Sequence, residues 1–149
     1  MYRKVQVWIA DLNDDPKVLL FKLIPARGSG WHPVTGGVEK GESFLKAAQR
    51  ETEEETQIPA DVGTWVDLEY SHFFDGRWGK AEEHAFGLVL THTSFTIHLD
   101  PSEMTEFKWV TIEDAKKEVG FEPQRDALER FSCYLEKHHG AGKHAPETR

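Results

Sequence analysis

Lys4–Leu12 carries β-branched and aromatic residues between polar ones and ends at Asn13-Asp14-Asp15-Pro16. That pattern predicts a strand followed by a turn. Lys17–Ile24 is a second apolar run, and the short connection before it predicts a hairpin. Pro25–Gly30 reads as a loop, and Trp31–Thr35 as a short strand running into Gly36-Gly37. The period then changes. Ser43–Thr56 has neither Gly nor Pro and repeats at helical spacing, with Ser43 as N-cap and Pro59 as the stop. Strand patterns return at Thr64–Phe74, His84–Thr91, Phe95–Leu99 and Glu106–Val110, with a hairpin loop at Asp75–Lys80. Helices over Ile112–Val119 and Pro123–Lys137 close the pattern. Strands around one acidic helix, with helices again at the end, predict an α/β (α+β) fold, a sheet covered by helices.

With 149 residues the chain suits one domain, expected over 1–137, followed by a loose polar tail over 138–149. No apolar run approaches the roughly 20 residues that span a bilayer. The N-terminus lacks the apolar stretch of a signal peptide, so no membrane partner is expected and the cytoplasm is the expected compartment. Cys133 stands alone, which excludes an internal disulfide and predicts a buried or half-buried helical thiol. The eight histidines are dispersed without zinc-ligand spacing. The formal charge of −8 argues against a long nucleic-acid footprint, whose affinity comes from basic side chains. A small phosphorylated ligand stays open, provided divalent cations bridge it to an acidic protein.

Arg50-Glu51-Thr52-Glu53-Glu54-Glu55-Thr56 is the informative segment. Charge runs are usually solvated helix faces. Here the geometry resists that reading. Taking Glu51 as zero, Glu55 falls about 40° away and Glu54 about 60° the other way, so the three share an arc of roughly 100°. Phe44, Leu45, Ala48 and Thr52 fall on an overlapping stripe expected to face the core. The carboxylates also occupy the C-terminal half of the helix, where the dipole disfavours anions. Arg50 can serve one of them but not all three. Hard divalent ions prefer such oxygen ligands. On spacing alone, a metal site and a plain acidic helix both remain open.

The segment before it resolves the choice. Gly36–Ile58 resembles the Nudix box, G-x5-E-x7-R-E-U-x-E-E-x-G-U, with Gly36, Glu42, Arg50, Glu51, Glu54, Glu55 and Ile58 in register. Thr52 stands where the first aliphatic U belongs, and Gln57 where glycine usually ends the helix. The resemblance implies a Nudix fold, a mixed β-sheet sandwiched between helices. It also implies a hydrolase of a diphosphate linkage that uses magnesium, or alternatively manganese. Glu51, Glu54 and Glu55, with Gly36, are carried over as metal-binding positions, and Glu51 and Glu54 also as catalytic ones. Glu42 and Arg50 are carried over as structural pairings.

Outside the box, Asp100–Trp109 resembles the later loop of dihydroneopterin triphosphate and dNTP pyrophosphohydrolases. There a glutamate matching Glu103 serves as metal ligand or general base. Glu82 and Glu83 compete for that role, and a box glutamate remains an alternative base. Trp31 in Trp31-His32-Pro33-Val34-Thr35-Gly36 either stacks on a base or, the favoured reading, packs. Lys22, Arg27, Arg77, Lys80 and Arg125 are candidate phosphate contacts. The resemblance thus implies a monomeric or homodimeric enzyme that cleaves a nucleoside triphosphate or related triphosphate, such as dihydroneopterin triphosphate, to a monophosphate and pyrophosphate. Dinucleoside polyphosphates, nucleotide sugars and diphosphoinositol polyphosphates are the alternative substrates. A non-catalytic binding module is disfavoured by the intact glutamates, and an isomerase, which would need a catalytic cysteine, by the place of the single Cys133 in the terminal helix.

Overall fold

β1 (Tyr2–Asp11) sends Val5, Val7 and Ile9 into one core and Trp8 and Ala10 into another, so it is buried on both faces. The computed structural model describes residues 1–13, 15–90 and 96–140. Along one edge β1 pairs in parallel with β6 (Gly79–Leu90), from Tyr2↔Ala81 to Asp11↔Leu90. Its other edge is shared. β2 (Lys17–Leu23) pairs with it only at Ala10↔Val18 and Asp11↔Lys17, while β4 (Val34–Gly37) takes Lys4 to Val7.

The expected hairpin therefore exists only next to its turn. Beyond that point β2 diverges and pairs with β7 (Met104–Thr111) and β3 (Trp31–His32). Pro33, with no N–H for a ladder, separates β3 from β4, so the one strand expected at Trp31–Thr35 becomes two. β5 (Gly63–Gly76) lies antiparallel on β6 at the far edge, giving a mixed seven-stranded sheet.

Helices cover both faces, as expected. α1 (Phe44–Thr56) places Ala47 and Ala48 in the first core. α2 (Ile112–Glu118) and α3 (Glu122–Leu135) place Ala115, Ala127, Leu128, Phe131 and Leu135 in the second.

Several expectations are corrected. Arg77-Trp78 alone forms the β5–β6 turn, with Gly79 at φ 105°, so both strands run longer than predicted. Thr96–Leu99 forms no strand, and Phe95 lies outside the described residues, as does Thr91 at the end of the preceding segment. The reason is a different backbone partner: His98 N–H donates to the Thr56 carbonyl at the end of α1 (3.3 Å), and Ile97 packs on the first core. Leu45 is exposed rather than core-facing, with Ala47 buried in the helix face. Cys133 is exposed, its thiol 3.7 Å from Glu129. His138–Gly140, expected in the tail, belongs to a π-helical turn that continues α3, and 141–149 lie outside the described residues. Among the described residues no helix is long and apolar enough to cross a membrane.

Gly87 on β6 lies against the Phe131 ring of α3, and a Cβ there would overlap that ring. Gly87→Ala is expected to destabilise the protein by on the order of 1–3 kcal/mol through overpacking. A calorimetric melt checks this, and an unchanged Tm would show that the contact is loose.

Candidate active site

α1 is held at both ends by local chemistry. The Ser43 hydroxyl accepts from Lys46 N–H at 3.1 Å, the expected N-cap. At the other end Gln57 adopts the left-handed conformation (φ 64°), and its N–H donates to the Glu53 carbonyl at 2.8 Å. A glutamine thus performs the helix ending that glycine usually supplies.

Arg50 ties this helix to the loop before it. Its guanidinium donates twice to Glu42, at 2.7 and 2.9 Å, and once to the Gly37 carbonyl at 2.8 Å. It also donates to Glu51 at 3.0 Å and to Glu54 at 3.2 Å. The Arg50 hydrogen bonds and the Glu39 N–H hold the Glu42 carboxyl at about 2, well below its ordinary range. These are the structural pairings expected of Glu42 and Arg50.

Glu51 and Glu55 lie deeper. Glu55 is 8% exposed and the Glu51 side chain 14%. Burial pushes Glu55 up to about 10, helped by a hydrogen bond to Glu51 and by the charges of Glu51 and Glu103. Burial also raises Glu51, against the opposing effects of Glu55 and Arg50. The crowding thus opposes ionisation of both carboxyls, most strongly that of Glu55. Gly36 on β4 closes over the pair: a Cβ at Gly36 would overlap the Glu51 carboxyl and displace it.

This donor set suits a hard divalent cation. Two buried carboxyls crowd one point, with Arg50 on Glu51 and the charge of Arg27 on Glu55 compensating them in part, and all their donor atoms are oxygen. Among the described residues no three acidic or imidazole groups already meet as a ligand set. Glu54 is 58% exposed and tied to Arg50. An ion here would favour the charged forms of Glu51 and Glu55, with the exposed Glu54 one residue away on the helix.

Glu103 approaches from the loop before β7. Its carbonyl accepts from Ile24 N–H (3.0 Å), its carboxylate pairs with Arg27 (3.2 Å), and its charge reaches Glu55. Across β4 lies a cavity of about 460 Å³. Thr35 lines it, whereas the neighbouring Gly36 faces Glu51, so β4 is the partition between the two. Arg27 belongs to both sides, lining the cavity and pairing with Glu103.

Of the other candidate substrate contacts, none lines this cavity. Trp31 packs against the second core with Lys108 over its ring at 4.2 Å, as the favoured reading had it. Lys22 pairs within the sheet with Trp31 and Glu106. Arg77 lies over Trp78 and Lys80 pairs with Asp75, both at the hairpin tip. Arg125 donates to the Val119 carbonyl at 2.8 Å, bracing the α2–α3 connection. Instead the cavity is lined by Lys4, His32, His72, Phe74, Glu83 and Gln124, among others. The sequence did carry a signal for some of them: Lys4 and Glu83 are polar residues at positions sharing a sheet face with Trp8 and Ala85.

Glu82 points elsewhere, into a second cavity beside α1, where Ser71 donates to it at 3.1 Å. Ser71 also meets His84 (2.8 Å), and His84 meets Asp67 (2.6 Å).

The chain is 32% identical over 126 residues to an octanoyltransferase of Myxococcus xanthus, covering 80% of this chain but only 33% of that protein. A solved Ap4A hydrolase of Caenorhabditis elegans superposes with TM-score 0.81 at 24% identity, covering 92% of this chain and 99% of that one. The Escherichia coli dihydroneopterin triphosphate pyrophosphohydrolase superposes with TM-score 0.75 at 26% identity, covering 89% and 95%. The sequence pattern of the NUDIX domain matches residues 2–131. With its box glutamates gathered on α1 beneath Gly36, the chain belongs to the Nudix family.

Proposed function

We propose that this Nudix hydrolase, an enzyme of phosphorus-containing acid anhydrides, cleaves a nucleoside triphosphate or related triphosphate to a monophosphate and pyrophosphate with magnesium or manganese. One observation carries the reading. Two buried carboxyls crowd together beside Gly36, and Arg27, paired with the neighbouring Glu103, borders a cavity large enough for a ring system. The 26% identity to the E. coli pyrophosphohydrolase supports the triphosphate class.

In this reading Glu51, Glu54, Glu55 and Glu103, with Gly36, form the ion-binding set. Bound divalent ions would neutralise the phosphates and acidify a water. The protein's own groups do the rest. Glu42 and Arg50 lock the loop against α1, so that the carboxyls keep their spacing. Arg27, half-exposed beside Glu103, moves onto a phosphate, which frees the Glu103 carboxylate to take the proton of the attacking water. The water oxygen bonds to one phosphorus, the bridging P–O bond breaks, and pyrophosphate leaves. A box glutamate is the alternative base.

A screen of dNTPs, dihydroneopterin triphosphate and dinucleoside tetraphosphates with magnesium should release pyrophosphate from a triphosphate. Release of orthophosphate alone, or no turnover, would refute the assignment. Glu54→Gln should lower turnover by orders of magnitude without changing Tm, because the side chain is exposed; retained activity would remove it from the ligand set. Stability against pH provides a further check. Glu55 is raised in the folded state, so its contribution is present below the unfolded value and lost as pH rises toward about 10. In chelator, Glu55→Gln should therefore melt progressively higher than the parent as pH rises from 5 to 9. A constant difference would mean that Glu55 ionises freely.

A further inference from the structure

Between β4 and α1 the chain crosses from Val38 to Ser43, the stretch that carries Glu42. Its support comes from the first residues of β1. Val38 N–H donates to the Arg3 carbonyl at 2.9 Å, extending the β1–β4 ladder one residue past Lys4↔Gly37. The Arg3 side chain then reaches the far end of the same stretch. Its guanidinium donates to the Glu42 carbonyl at 3.2 Å and lies over the ring of Phe44, the first residue of α1, 5.1 Å from its centroid.

Phe44 is gripped from a second strand as well. Its ring stacks on His84 of β6, with centroids 5.2 Å apart and planes at 29°. Register explains the meeting. Arg3 and Val5 share one face of β1, and Val5 pairs with His84, so Arg3 and His84 stand on the α1 side of the sheet. Asp67 and Ser71 hold the imidazole in turn, at 2.6 and 2.8 Å.

Glu42 passes this grip to the site. It takes Arg3 on its carbonyl and Arg50 on its carboxylate, the latter at 2.7 and 2.9 Å. From there Arg50 reaches the Gly37 carbonyl at 2.8 Å and Glu51 at 3.0 Å. An unbroken line of contacts thus runs Arg3–Glu42–Arg50–Glu51, from the start of the sheet to a buried carboxyl. Arginine suits the first place in it. A planar guanidinium gives an N–H to a carbonyl while lying against a ring, whereas a lysine ammonium is a point charge that serves one of them at a time.

We propose that Arg3, outside the box, is a positioning residue for the ion-binding carboxyls: by fixing the Glu42 main chain against Phe44, it keeps Arg50 where it meets Gly37 and Glu51 together. Residues that orient a metal ligand typically change the affinity for the ion by about 10–100-fold. Arg3 stands further back in the line, so its effect belongs at the low end. The inference rests on the assignment of Glu51, Glu54 and Glu55 to the ion-binding set.

The test is manganese titration of the full chain, followed by the electron paramagnetic resonance of the free ion at a temperature well below Tm. Arg3→Leu, which keeps an apolar stem against Phe44, should weaken manganese binding about ten-fold, and Arg3→Lys only about three-fold, a partial rescue. Glu51→Gln should weaken it at least as much as Arg3→Leu. A brace of the fold alone would lower Tm in chelator and leave manganese affinity unchanged, and that result for Arg3→Leu would overturn the proposal. If Arg3→Leu fails to fold, Arg3→Lys decides on the same criterion. Manganese bound by the parent and indifferent to Glu51→Gln would overturn the ion-set reading. A loss with Glu51→Gln but none with Arg3→Leu would overturn the role of Arg3 alone, and a parent that binds no manganese would overturn both.

Discussion

Glu51 and Glu55 bring two carboxyls together in the C-terminal half of α1, where the helix dipole, burial and their mutual repulsion all oppose charge. Much of the surrounding architecture answers that constraint. Arg50 cannot neutralise both, because its donors are divided among Glu42, Gly37, Glu51 and Glu54. Both carboxyls are therefore raised toward their neutral forms, Glu55 the more strongly.

The fork in the sheet explains how that point meets a substrate. Because β2 leaves β1 after two residue pairs, β4 can occupy the vacated edge. β4 then turns Gly36 toward Glu51 and Thr35 toward the cavity on the α3 side. The chemistry and the ring-sized cavity lie on opposite faces of one sheet. A strand with two successive glycines, the thinnest possible wall, separates them.

Legibility in the sequence followed locality. α1, its Ser43 cap and the Arg50–Glu42 pairing depend on residues within about two turns of one another; spacing located the helix and its cap, and the resemblance to the Nudix box implied the pairing. Thr52, standing where an aliphatic was expected, is fully buried all the same. The cavity was not legible in this way. Lys4, His72 and Glu83 become neighbours only through the β1–β6 and β5–β6 registers, which no local pattern encodes. Arg125 and Lys80 were chosen for their charge, but the structure engages them with a helix-end carbonyl and a hairpin aspartate. Thr96–Leu99 alternates like a strand, yet it hydrogen-bonds the end of α1.

Crystals soaked in manganese, with data collected at its absorption edge, test the central claim most directly. The account predicts an anomalous peak between Glu51 and Glu55 beside Gly36, with Glu54 drawn away from Arg50. Manganese bound only elsewhere would contradict it.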